Sequence, residues 1–135
     1  MTPGTYMKSR LITRKTSSLR QIHAAIKLFH DDEYEATITL ALAAESQMPH
    51  VEVPYLYERL KARVSPDEVD IFNDVRNWLK HLRPPDEIEI TNFDAALALV
   101  RAVTKFKAVF NESSHLMDEF ADWIRQKGGL SPETI

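Results

Sequence analysis

Apolar side chains recur at steps of three and four residues along most of the chain, which is the spacing of one face of an α-helix. Ser18 and Gln21 have the spacing of a capping box, so the first helix is predicted to begin near Ser18. The apolar stripe that follows consists of Leu19, Ile22, Ile26 and Phe29.

The second predicted helix begins near Asp32, with Glu35 three residues later, and stops before Pro49. Further apolar residues widen its buried face, which predicts a central helix covered on most sides. That face carries Tyr34, Ile38, Ala41, Leu42 and Met48, and Leu40 and Ala43 widen it.

A short helix is predicted over residues 54–64, and a longer one follows it. Ser65 is the predicted N-cap of the longer helix and Pro66 its first residue, a position at which the missing proline N–H costs nothing. The pair Pro84-Pro85 must end this helix. Its predicted stripe is Val69, Phe72, Val75, Leu79 and Leu82.

Two further helices complete the predicted set. Thr91 is expected to cap one that runs to Phe110, and another is expected over about 114–127, stopped by Gly128. The chain has only 3 glycines, which disfavours a fold of tight hairpins.

These elements predict an all-α protein, most simply an antiparallel four-helix bundle with one or two extra short helices. A single domain is expected over residues 16–127. A flexible arm is expected at 1–15 and a flexible tail at 128–135.

The composition of the 135 residues is that of a globular domain, with 44% hydrophobic and 27% charged residues. The chain has no cysteine, which excludes a disulfide scaffold, a thiolate zinc site and a cysteine nucleophile. No apolar run approaches the ~18 residues of a membrane span. A cytoplasmic protein without membrane contact is therefore expected. No glycine-rich phosphate loop, His-Glu-x-x-His motif or EF-hand loop occurs, and no cofactor or metal is expected.

The net charge is −3, but the charges are segregated along the chain. Residues 1–30 contain basic side chains and no acid, whereas residues 31–58 contain acids and no lysine or arginine. Such blocks either create a local field that attracts phosphate or neutralise each other on neighbouring helices. Two more basic blocks follow, Arg59/Lys61/Arg63 and Arg101/Lys105/Lys107.

Glu45 is an acid on the apolar face of the second predicted helix. An ionised carboxylate in such a place needs a partner. Three interpretations are open: a salt bridge to another helix, orientation of a catalytic arginine or histidine, or a rotated helix that exposes the acid.

The segment Arg76-Asn77-Trp78-Leu79-Lys80-His81 places an arginine, a polar residue and a histidine on one late helix. This arrangement resembles the HEPN family of all-α bundles. The stretches 24–29 and 38–45 resemble the first helical hairpin of small bacterial HEPN-like proteins, and 77–81 resembles their Asn-aromatic-x-Lys-His stretch. Arg76 also has an alternative interpretation as a surface residue paired with Asp74, Asp70 or Glu68.

Many members of that family are metal-independent ribonucleases that act as dimers, and the resemblance implies the same chemistry here. His81 would take the 2′-hydroxyl proton, Arg76 would bind the phosphate, and Asn77 would orient one of them. Lys80 and Arg83 would add substrate-binding charge, and Glu45 is a candidate orienting acid. The expected partners are a second copy of the chain, RNA or a nucleotide, and a cognate antitoxin protein.

Two other classes of function stay open at this point, a catalytically silent module that binds nucleotide or RNA and a protein-interaction module. Geometry bears on the choice, because five helical residues place Arg76 and His81 ~140° apart on a straight helix. They can share one site only if the helix unravels at His81 or if two copies pair about a two-fold axis.

Overall fold

The computed structural model describes residues 7–51 and 66–127, and every regular element in these ranges is an α-helix, as predicted. The predicted helix over 54–64, Ser65, and the tail at 128–135 with Gly128 lie outside the described residues. The helices are α1 (Arg14–His30), α2 (Tyr34–Ser46), α3 (Pro66–Lys80), α4 (Asn92–Phe110) and α5 (His115–Lys127).

Helix α1 begins four residues before the predicted start, so that prediction is wrong. Thr13 is the N-cap, and its side-chain oxygen accepts a hydrogen bond of 3.0 Å from Thr16 N–H. Ser18 is buried inside the helix and donates to the Arg14 carbonyl at 2.8 Å. A serine hydroxyl can bond a carbonyl one turn back as readily as it caps a helix. The spacing of Ser18 and Gln21 therefore did not mark the start of the helix. Helix α1 includes the last two residues of the segment 1–15.

Helix α2 begins at Tyr34, two residues later than predicted. Glu33 is its N-cap and makes no side-chain capping hydrogen bond. Asp32 precedes the helix with φ of 62°, a left-handed conformation that aspartate tolerates better than most residues. The link 31–33 therefore turns the chain sharply, and α2 ends at Ser46, before Pro49 as expected.

Helix α3 begins at Pro66, as predicted, but ends at Lys80. Leu82 lies beyond the helix and is fully exposed, so its predicted place on the buried stripe is wrong. The link that follows is held to the helix by Trp78, whose indole N–H donates to the Pro85 carbonyl at 2.6 Å. Among the residues of this stripe whose side chains are described, Val75 is the one nearly inaccessible to solvent.

Thr91 caps α4, as predicted. Its side chain accepts from Asp94 N–H, and the Asp94 carboxylate accepts from Thr91 N–H, which completes a capping box. The helix ends at Asn111, which has a left-handed conformation with φ of 51°.

The core lies where α2 packs against α1 and α4. Helix α5 contacts α1 and α4, and α3 contacts α2, so α2 packs against α1, α3 and α4. None of the described helices is both long and apolar enough to span a membrane. The largest side chains that are almost completely buried are Ile22, Ile26, Ile38, Leu99, Phe106, Met117, Phe120 and Ile124.

His23 joins α1 to the start of α5. Its Nε2 lies 2.8 Å from Ser114 Oγ, and Ser114 Oγ also accepts a hydrogen bond from Met117 N–H. Either the Ser114 hydroxyl or the His23 imidazole can donate in this pair, depending on which ring nitrogen carries the proton. Partial burial, with a smaller contribution from Lys27, lowers the pKa of His23.

The contrast between two leucines tests the core. Leu99→Ala should lower the free energy of unfolding by ~2–5 kcal/mol, because Leu99 is completely buried. Leu82→Ala is the matched control and should leave it nearly unchanged, because Leu82 is exposed. Urea titration of both variants measures the difference, and equal losses would contradict the assigned core.

The lowered pKa of His23 makes stability depend on pH in a definite direction. The unfolded chain binds a proton near the ordinary histidine value of about 6.5, whereas the folded chain binds it only at lower pH. Stability should therefore fall as the pH drops through and below that value. His23→Gln keeps a hydrogen-bonding group beside Ser114 and should show a smaller loss. Urea titrations across this range that gave the same pH dependence for both proteins would contradict the lowered pKa of His23.

Candidate functional site

A solvent-open cleft of about 180 Å³ lies between α2, α3 and α4. Arg76 and Lys80 are four residues apart on α3, and Arg101 and Lys105 are four residues apart on α4. That spacing places each pair on one helix face. The side chains lining the cleft are Leu42, Glu45, Ser46, Arg76, Lys80, Arg101 and Lys105.

One wall of the cleft is anchored by an ion pair between α2 and α4. Arg101 Nη2 donates to Glu45 Oε1 at 2.8 Å, and the two side chains are only 6% and 10% exposed. Of the three interpretations of Glu45, the structure shows the salt bridge to another helix. The buried carboxylate fixes the position of a guanidinium that also lines the cleft.

Lys105 reaches the same end of α2. Its ammonium group donates to the Glu45 carbonyl at 3.2 Å, in the last turn of the helix. The final carbonyls of a helix carry partial negative charge and have no partner within the helix. Lys105 therefore offsets the partial negative charge at the C-terminus of α2 and also lines the cleft.

Arg76 is placed differently from Arg101. Its Nε is buried, and no described residue accepts a hydrogen bond from it. No ion pair joins Arg76 to the described acid Asp74, whereas the side chains of Asp70 and Glu68 lie outside the described part. A buried donor without an acceptor costs about 1–3 kcal/mol. An oxygen-rich ligand in the cleft would supply the missing acceptor.

The structure brings three of the six predicted site residues together, namely Arg76, Lys80 and Glu45. Asn77 is half-buried, and its carbonyl accepts from His81 N–H at 3.0 Å. His81 and Arg83 are exposed beyond the end of α3 and are not among the residues that line the cleft. Among the described residues, this cleft therefore contains Arg76 and not His81.

Four lining residues were missing from the predicted site. Arg101 and Lys105 belong to a basic block with helical spacing, which is the sequence signal that could have identified them. No sequence pattern identified Ser46 and Leu42 as site residues, because their place beside the cleft depends on how α2 packs against α3 and α4.

Comparisons of the chain with protein-family models, with curated proteins and with solved structures found no match. Within residues 7–51 and 66–127, no group of three histidine, aspartate or glutamate side chains is placed to hold a metal ion. The charges and geometry of the cleft are therefore the basis for a functional assignment.

Replacing Arg76 separates a structural role from a binding role. Arg76→Met removes the buried N–H that lacks an acceptor and keeps much of the hydrocarbon stem. The free energy of unfolding should stay within about 0.5 kcal/mol of the wild-type value or rise above it. A structural ion pair would instead give a clear loss in urea titration, and a loss above about 1.5 kcal/mol would contradict the binding role.

Proposed function

We propose that the cleft binds phosphate groups of RNA. The observation that carries this proposal is the convergence of four cationic side chains from two helices on a space where the described residues contribute one carboxylate. The chain as a whole has a net charge of −3, so the proposed attraction depends on this local concentration of charge.

The chemistry of the cleft side chains fits phosphate. Guanidinium groups present several N–H donors in a plane, which suits phosphate oxygens, and lysines add mobile positive charge. The buried Nε–H of Arg76 supports the proposal further, because a phosphate oxygen would accept its hydrogen bond. Arg101 is already oriented by Glu45, so little side-chain entropy remains to be lost when a ligand binds.

We also propose that the fold is an antiparallel four-helix bundle of the HEPN-like kind. The short links 31–33 and 111–114 support antiparallel neighbours. The two stretches that resemble the first HEPN-like hairpin, 24–29 and 38–45, lie in α1 and α2, which pack against each other.

RNA cleavage is the second candidate function, and the position of His81 favours it. His81 is exposed and directly follows Lys80, which lines the cleft. An imidazole there is free to act on RNA that extends out of the cleft. In a homodimer about a two-fold axis, His81 of one copy would serve RNA held by the other.

An RNA-binding titration tests the primary proposal. Arg76→Met and Lys80→Ala should each weaken binding of a fluorescent single-stranded RNA about tenfold, the effect of one lost charge-assisted hydrogen bond. Each should also reduce the dependence of binding on salt. Arg20→Ala is the control, since Arg20 is exposed on α1 and is not among the cleft residues. Equal weakening by all three variants would contradict a specific cleft.

The same RNA tests cleavage. His81→Ala should abolish cutting and leave binding and thermal stability unchanged, and products should end in 2′,3′-cyclic phosphate. Activity should persist in EDTA, and light scattering should report a dimer. Intact RNA with the wild-type protein would remove the cleavage proposal and leave the binding proposal standing.

A further inference from the structure

The charge of the cleft specifies its ligand more narrowly than RNA in general. Four cationic side chains and one carboxylate line it, which gives a formal charge of +3 for the described residues. The formal charge overstates the positive field in the cleft, because the C-termini of two helices lie beside it.

Ser46 is the last residue of α2 and Lys80 is the last residue of α3, and both line the cleft. A helix C-terminus carries about half a negative elementary charge. The contact of Lys105 with the Glu45 carbonyl shows that one of these ends meets the cleft cations directly. The two ends together reduce the positive charge contributed by the described cleft residues to about +2.

The size and lining of the cleft point to a compact ligand. Its volume of about 180 Å³ lies below the range of roughly 300–1,000 Å³ that is usual for pockets holding larger organic molecules. None of the described side chains lining it is aromatic, so these side chains offer no face on which a nucleobase could stack. The described lining residues are therefore suited to recognise a phosphate rather than a base.

We propose that the cleft binds a phosphate monoester at an RNA end or on a nucleotide, in preference to an internal phosphodiester. The inference rests on the proposed function. A monoester carries a charge of about −1.5 to −2 near neutral pH, which matches the cleft, whereas each internal phosphodiester carries one negative charge. The monoester also presents three terminal oxygens, enough to accept from Arg76 and Lys80 together.

The test uses one short RNA sequence with 2′-O-methyl groups, so that no strand is cut during the titration. Four forms are compared at fixed salt: both ends hydroxyl, a 5′-phosphate, a 3′-phosphate, and the methyl ester of whichever phosphate binds more tightly. The methyl ester is the matched control, since it keeps the phosphorus and removes one charge.

A phosphate at one end or the other should tighten binding at least about tenfold over the hydroxyl form, and the methyl ester should lose most of that gain. Arg76→Met should abolish the gain, whereas Arg20→Ala should keep it. Competition by adenosine monophosphate separates the two sources of the monoester. Equal affinity for the nucleotide and the phosphorylated RNA assigns a nucleotide ligand, and much weaker competition assigns an RNA end.

The outcomes separate this inference from the proposed function. Equal binding of all four RNA forms, still weakened by Arg76→Met, would overturn the monoester preference and keep RNA binding in the cleft. A gain that survives in Arg76→Met would place the terminal phosphate elsewhere and overturn the inference. Absence of binding by every RNA form would overturn both proposals.

Discussion

The buried ion pair between Glu45 and Arg101 is the interaction on which the cleft depends. Removing two charges from water is costly, and the cost is offset only when the charges meet in good geometry. That requirement fixes the end of α2 against the middle of α4, across 56 residues of sequence. The same contact sets Arg101 facing the cleft and leaves Lys105, one turn later, beside the last carbonyls of α2.

A protein with a net charge of −3 can hold a positive site only by segregating its charges in space. The cleft does so with two pairs of residues at helical spacing, one on α3 and one on α4. The ends of α2 and α3 moderate the repulsion among the four cations. Arg76 keeps a buried donor without a described acceptor, and such unfavourable features tend to occur where a ligand completes the structure.

The sequence predicted the features that depend on neighbouring residues. Thr91 and the helix it caps were predicted correctly, because a capping box involves only four consecutive residues. The start of α1 was predicted wrongly, because a serine such as Ser18 can either cap a helix or bond a carbonyl inside it. The burial of Glu45 was predicted from helical spacing, but its partner Arg101 is distant in sequence and no local pattern could identify it. Arg76 and Lys80 were predicted as site residues because they lie in one short segment. Helix α4, which faces them across the cleft, is distant in sequence and was not predicted as part of the site.

The most direct test of the central claim observes the Arg76 side chain itself. The Nε–H signal of Arg76 in a ¹⁵N-labelled protein can be assigned by its loss in Arg76→Met and followed as inorganic phosphate is added at constant ionic strength. The account predicts a saturable change in that signal, with the Nε–H signal of exposed Arg20 unchanged. An Arg76 signal that does not move, or one that moves in parallel with Arg20, would contradict phosphate binding in the cleft.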